Sequence, residues 1–273
     1  MRSILASFFK FILSFSFFKQ KYFAFHKYIF NPYQLFKGVK KEVIYRDSIR
    51  LTINLEDWIQ QQIYFLGDYE KNEIDYLYSN LKKGNVFIDI GGNIGLFSLN
   101  ASKIVGNEGK VIAFEAFTPN YNQFKNHISS NHFQNITLEH LAIADEKSFI
   151  EILYNDTYNN VGMASSFLQE YTAKERVESI SLDEYVKQKN ISKIDLIKID
   201  IEGGEYAALK GMNEILTHYQ PNILIEINNI ALKSSNRSEE ELVSLLTEKG
   251  YRKTKIISQN ESSYNAVFEY SQS

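Results

Sequence analysis

Five short apolar runs punctuate the middle of the chain, at residues 86–90, 111–114, 136–143, 196–199 and 223–227. Stretches with helical spacing lie between and after them, at 96–105, 120–131, 205–216 and 238–249. Runs that are continuously apolar, not alternating, mark strands buried on both faces. Strand–helix order repeated in this way predicts a parallel, doubly wound α/β sheet. Ser238 with Glu241 three residues on forms a capping box that fixes the start of the last helix. Beyond it, "KTKIIS" (253–258) and "YNAVFEY" (264–270) are separated only by a turn, so they must pair antiparallel. The expected body is therefore a mostly parallel seven-stranded sheet ending in an antiparallel hairpin. Upstream, "EVIYRDSIRLTIN" (42–54) alternates like a hairpin or two edge strands. "EKNEIDYLYSNLKKG" (70–84) reads as a helix stopped by Gly84.

Charge changes this picture at the N-terminus. Of thirty Lys and Arg residues, eight lie in residues 1–41, which hold no Asp or Glu; the remainder sets twenty-two basic residues against thirty-three acidic ones. A basic helical arm (1–41), continued by the hairpin, thus precedes an acidic body (42–273, core from residue 60). The body is a poor nucleic-acid binder, because phosphate contacts need a concentrated basic face. Within the arm, "ILASFFKFILSFSFF" (4–18) is too short to span a bilayer. Only Arg2 precedes it, and no clear cleavage site follows, which argues against a secretory signal. As a helix it is apolar over most of its circumference, with Ser3, Ser7, Lys10 and Ser14 on one narrow stripe. Two readings stand: a helix packed on the body or in a homodimer, and an interfacial helix at the inner leaflet of a membrane. Cytoplasmic placement, peripheral on that leaflet in the second case, goes with them. The chain has no cysteine, so disulfides, thiolate metal sites and Cys nucleophiles are excluded.

The chemistry concentrates in "VFIDIGGNIGLF" (86–97). Gly91, Gly92 and Gly95 let the chain turn sharply off a strand and bring a ligand near the backbone. Asp89, near the end of a buried strand, is costly unless something positive or donating meets it. Glu115 ends the next strand, twenty residues after Gly95, where a ribose-hydroxyl acceptor belongs. Asn93 stands where a pyrophosphate loop wants glycine. The pattern D-x-G-x-N-x-G suits a ligand with a small zwitterion, and S-adenosylmethionine offers an ammonium, a ribose diol and a sulfonium. The structural alternatives are a buried cap for Asp89 and a solvated strand end for Glu115.

These motifs resemble the FkbM-type methyltransferases, a branch of the class I S-adenosylmethionine-dependent enzymes. The resemblance runs from "FLGDYEKNE" (65–73) through "VFIDIGGNIGLFSL", "VIAFEAFTPNYNQFKNHI" and "LAIAD" (141–145) to "SLDEYV" (181–186), "IDLIKIDIEGGEYAALKG" (194–211) and "PNILIEIN" (221–228). Family members usually carry Ala in place of Gly92 and Pro in place of Ala116. The resemblance implies a Rossmann-like fold with Asp89, Gly91, Gly92, Asn93 and Gly95 at the methionine end of the cofactor. It implies Glu115, with Ala116 beside it, at the ribose, Asp145 at the adenine amine, and Glu70 approaching from the N-terminal side. For Glu70 a helix cap, and for Asp145 a strand-end turn, are the simpler alternatives.

Lys198, Asp200 and Glu202 alternate, so on an extended strand they share a face. Asp200, Glu202 and Glu226 are the candidate bases for methyl transfer to a hydroxyl. Asp200 has a second reading, as support for the methionine ammonium and the loop turn. Asp200, Glu226 and Asn228 could instead hold a divalent cation. No histidine is expected at a strand tip. The polar insert 154–179 offers hydrogen-bonding groups suited to a sugar acceptor. By resemblance, acceptors are hydroxyls of glycans, glycolipids or polyketide-like compounds. The arm tilts the expectation to O-methylation of a sugar in a bacterial surface glycan. The rival readings are a non-catalytic membrane-associated binding module and an NAD-dependent oxidoreductase, the latter disfavoured by the missing G-x-G-x-x-G.

Overall fold

The computed structural model describes residues 1–46, 48–155, 164–168 and 170–271. The chain forms two compact units, one over Met1–Lys71 and one over the sheet-bearing remainder from Asn72.

The first unit begins with three helices, α1 (Arg2–Leu13), α2 (Ser16–Lys19) and α3 (Tyr22–Phe25), and a π-helical turn at His26–Phe30. An antiparallel hairpin follows, β1 (Lys40–Tyr45) with β2 (Ile49–Asn54). Alternation places Ile49, Leu51 and Ile53 of β2 inside. Helix α4 (Trp58–Leu66) starts at Asp57, whose carboxylate accepts the Gln60 N–H at 2.8 Å, and stops at left-handed Gly67. Aromatic rings fill the core: Phe30 lies 4.9 Å from Phe36 and 5.4 Å from Phe65, centroid to centroid. The expected hairpin is present, and the arm belongs to the same unit.

The second unit runs α5 (Lys71–Asn80), β3 (Val86–Ile90), α6 (Leu96–Val105), β4 (Lys110–Phe114), α7 (Thr118–Asn131), β5 (Ile136–Glu139), β6 (Ala142–Ile143), β7 (Ser148–Tyr154) and β8 (Ala173–Ile180). It continues with α8 (Leu182–Gln188), β9 (Leu196–Ile199), α9 (Glu205–Lys210), a π-helical turn at Ile215–Tyr219, β10 (Asn222–Asn228), α10 (Asn229–Ser234), α11 (Glu239–Glu248), β11 (Tyr251–Gln259) and β12 (Ser263–Tyr270). The main sheet has the order β11-β12-β10-β9-β3-β4-β5. Strands β10, β9, β3, β4 and β5 are parallel, and β12 is antiparallel to both β10 and β11. The α/β, doubly wound, seven-stranded sheet with its terminal hairpin is as expected. Isoleucines from β3, β4, β9 and β10 make the shared core. The capping box at Ser238 and Glu241 is formed.

Two expected elements divide. The run 136–143 splits at His140–Leu141: β5 closes the main sheet, whereas β6 leaves it for a second sheet of order β6-β8-β7. The helix expected over 205–216 stops at Gly211. A Cβ there would lie 2.1 Å from the Ala144 carbonyl, so the chain passes too close for a side chain. The polar insert is also not a simple loop. Its last part is β8, paired with β7, and Ser165 bridges back to Leu153; residues 156–163 and 169 lie outside the described residues.

Strand order reverses between β3 and β9, since the chain winds outward through β4 and β5 and then returns to add β9 and β10 on the other side. The crevice outside the carboxyl ends of these strands is where ligands bind in open α/β sheets.

Candidate active site

The turn after β3 is built by backbone donors and one buried acid. The N–H groups of Gly91 and Gly92 both donate to the Phe114 carbonyl, at 3.0 and 2.9 Å. Asn93 adopts φ 49°, and its N–H donates to Glu115 Oε2 at 2.7 Å, while the Phe117 N–H donates to Oε1 at 2.8 Å. Glu115 thus ties the glycine turn to the end of β4. It is nearly fully buried, and that burial pushes its carboxyl up to about 8 against the two N–H bonds. The glycines answer to the protein itself as much as to a ligand. At Gly91, with φ 83°, a Cβ would sit 1.9 Å from the Asp200 carbonyl oxygen; at Gly95, with φ 93°, it would sit 2.2 Å from the Phe124 ring.

Register explains the next feature. Asp89 of β3 and Lys198 of β9 are direct partners in the parallel pairing, so both side chains leave the same face. Asp89 is wholly buried. Its Oδ2 accepts from Ser98 Oγ at 2.6 Å, and its Oδ1, without a hydrogen-bond partner, lies 3.9 Å from Lys198 Nζ. Burial pushes the Asp89 carboxyl up, and the Lys198 charge and the Ser98 hydroxyl oppose that shift. Lys198 Nζ also donates to Asp200 Oδ2 at 3.0 Å and lies 4.5 Å from the centre of the Phe97 ring. An ammonium between two carboxylates satisfies part of the charge that the strand buries.

The expectation that Glu202 continues the strand alternation is not met. Strand β9 ends at Ile199, and the chain turns through Glu202 (φ 50°) and Gly203 (φ 104°). Glu205 holds this turn, accepting the Ile201 N–H at 3.0 Å and the Gly203 N–H at 3.0 Å to its second oxygen. Ser165 Oγ donates to the Glu202 carbonyl at 2.7 Å. The turn still brings the acids together. Asp200, Glu202 and Glu226 each place a carboxylate oxygen within 4.8 Å of the others. Pairing of Ile199 with Ile225 carries Asp200 level with Glu226. Glu202 is pushed up to about 7 by burial first and then by the charges of Asp200 and Glu205. Glu205 rises to about 7, mainly from burial.

Other expected residues are placed differently. Asp145 is paired with Lys210 at 3.0 Å and part-exposed. Asn228 spends its side-chain oxygen capping α10, on the N–H groups of Ile230 and Ala231, and is thereby engaged away from any cation. His140 directly follows β5, contrary to the expectation that no histidine reaches a strand tip; its Nε2 lies 3.0 Å from the carbonyl of Ala116, and its ring stacks on Tyr121. The strand break at 140–141 created that tip. Glu70 immediately precedes α5, with φ 47°. The sequence reading gave no role to Lys198 as a counter-ion or to Glu205 as a turn clamp. Both stand inside the K-I-D-x-E-G-x-E motif, which was their only signal; Ser98 had none.

A seven-stranded sheet of this order, with an acid-tied glycine turn after its first strand and a carboxylate cluster at the neighbouring tips, defines a class I methyltransferase. The comparisons agree: residues 89–253 match the Methyltransferase FkbM domain, and the chain belongs to that family as an S-adenosylmethionine-dependent methyltransferase. Among solved structures it is similar to the FkbM methyltransferase of Methylobacillus flagellatus, at 13% identity and TM-score 0.48, over 77% of this chain and 52% of that one. It is also similar to a SAM-dependent methyltransferase from Aquifex aeolicus, at 14% identity and TM-score 0.45, over 78% and 94%. No curated protein sequence matches it. The site's own chemistry fits the methyl donor. Asp89 keeps one buried oxygen without a donor. Each Glu115 oxygen takes one backbone N–H, leaving a lone pair on each for a hydroxyl.

Proposed function

We propose that the protein O-methylates a hydroxyl, with a sugar of a bacterial surface glycan or glycolipid as acceptor and the cytoplasmic side of the membrane as the place of reaction. The observation that carries the reading is the triangle of Asp200, Glu202 and Glu226 at the tips of β9 and β10. An alcohol is a weak nucleophile, so its transfer needs a group that removes the proton as the new bond forms.

Bound S-adenosylmethionine supplies an electrophilic methyl on a sulfonium. The chain's part is positional and basic. Asp89, Gly91, Gly92, Asn93 and Gly95 take the methionine end, Glu115 and Ala116 the ribose, and Asp145 the adenine side. Lys198 donates to Asp200 and aims its carboxylate. Glu202, raised to about 7, is matched to proton transfer near neutral pH. When the methyl is transferred to the acceptor oxygen, a carboxylate of the triangle would take the hydroxyl proton. The polar residues of 164–179 suit the acceptor's remaining hydroxyls.

The same three oxygens favour a second reading, in which a divalent cation acidifies the acceptor hydroxyl. A screen of sugar acceptors with Asp200→Asn, Glu202→Gln and Glu226→Gln, each with and without EDTA, separates the two. A direct base is expected to cost about a hundred- to ten-thousand-fold in turnover when replaced, with S-adenosylhomocysteine binding kept and EDTA without effect. Loss of turnover in EDTA, restored by magnesium, favours the cation. Unchanged turnover in all three variants removes the triangle from the chemistry.

A further inference from the structure

Helix α1 is apolar on two sides, one packed and one exposed. One stripe, Ala6 and Leu13 with the half-buried Leu5, Phe9 and Ile12, packs into its own unit. The polar stripe is exposed, with Ser7 Oγ accepting from Lys41 Nζ at 3.1 Å and Lys10 Nζ 4.3 Å from the centre of the Tyr64 ring. The third side faces solvent, and it is apolar. Ile4, Phe8 and Phe11 recur at i, i+4 and i+7 and are 74%, 54% and 65% exposed. Phe15, Phe17 and Phe23 extend the patch beyond the helix, the last two 68% and 58% exposed. The Phe11 and Phe15 rings lie 5.3 Å apart, and so many exposed rings on one short segment mark an interaction surface. Around them stand Lys19, Lys21 and Lys27, all exposed, in a segment of the chain without a single carboxylate.

We infer that this face of residues 1–30 seats on an anionic lipid bilayer, with the phenylalanines in the headgroup–acyl boundary and the lysines on lipid phosphates. Charge complementarity chooses the occupant. A second copy of the chain would bring one basic arm against another, which like charges oppose, whereas an anionic leaflet attracts every lysine on the arm. No helix among the described residues is long and apolar enough to cross a membrane, so the contact is interfacial. Bilayer seating concentrates the enzyme where lipid-linked acceptors lie. The inference itself does not depend on the acceptor being a glycolipid.

The test is co-sedimentation of the full-length chain with vesicles of phosphatidylcholine alone and of phosphatidylcholine with phosphatidylglycerol. The expected result is pelleting with the anionic vesicles only, weakened by salt. Phe11→Ser with Phe15→Ser should abolish it, and Lys19→Glu with Lys21→Glu should lower partitioning about tenfold or more. All four side chains point to solvent, so urea unfolding midpoints should stay at the wild-type value; methyl transfer to a soluble acceptor should be equally unaffected, which keeps this test separate from that of the catalytic reading. A chain that stays in the supernatant with both vesicle types overturns the inference. So does a dimer in solution that the Phe11→Ser, Phe15→Ser variant converts to monomer without vesicle binding, which would assign the face to a second copy.

Discussion

At the residue scale, one missing side chain and a set of buried charges decide the site. Gly91 combines a left-handed φ with a 1.9 Å approach of its virtual Cβ to the Asp200 carbonyl. The conformational cost alone is about 1–2 kcal/mol, and the clash adds to it. Gly91→Ala should therefore lower the urea unfolding midpoint and weaken S-adenosylhomocysteine binding together; a wild-type midpoint would show that the turn can open without cost. Lys198→Met leaves Asp89 buried beside no cation. Breaking a buried pair on one side costs about 3–5 kcal/mol, so this variant should be less stable than Lys198→Met combined with Asp89→Asn, and equal stability of the two would dissolve the pair. Titration follows from Glu115 at about 8 and Glu202 and Glu205 at about 7, all above the ordinary value of 4.5. A raised carboxyl binds its proton more tightly in the folded state, so its stabilisation is complete below about 4.5 and is lost as pH rises through the folded value. Stability of the ligand-free protein should fall between pH 4.5 and 8, and Glu115→Gln should flatten the upper part of that fall in urea titrations at stepped pH.

At the element scale, the strands that face water on neither side were legible from continuous apolar runs. The bounds of β3 and β9 were read to the residue, because each buried parallel strand is apolar but for one charged residue, Asp89 and Lys198, and these two are register partners. The second sheet was not legible. Strand β7 buries only Ile152 fully and β8 opens with consecutive Lys174, Glu175 and Arg176, so its sequence resembles a polar insert. The break at His140–Leu141 was hidden because apolar residues recur on both sides of it, Ile136 and Leu138 before and Ala142 and Ile143 after. The turn after β9 was misjudged for a physical reason: strand alternation places Glu202 correctly near Asp200, but by the wrong path, since a left-handed residue and a buried Glu205 make the bend. Removing that clamp should be felt locally. Glu205→Ala leaves the Ile201 and Gly203 N–H groups without their acceptor, at about 1–3 kcal/mol. Hydrogen exchange at Gly203 should accelerate more than at Ile197 in the middle of β9; equal acceleration would mean the clamp serves the whole unit and not the turn.

At the scale of the molecule, an acidic methyltransferase unit follows a basic, aromatic one. The charge asymmetry divides the sequence at residue 41, whereas the compact units divide at Lys71; the motifs D-x-G-x-N-x-G and K-I-D-x-E-G-x-E carried the family. What neither carried was the sharing of labour among buried charges, because pairing of Asp89 with Lys198 depends on strand register and not on spacing. The crevice beyond β3 and β4 is proposed to take an S-adenosyl ligand while the carboxylates beyond β9 and β10 act on the acceptor. Calorimetry with S-adenosylhomocysteine, beside NAD, tests this proposal most directly on wild type, Glu115→Ala and Glu226→Gln. The account expects saturable binding of S-adenosylhomocysteine to wild type and Glu226→Gln, its loss in a folded Glu115→Ala, and no heat with NAD. Binding of NAD, or S-adenosylhomocysteine affinity lost with Glu226 and kept without Glu115, would contradict it.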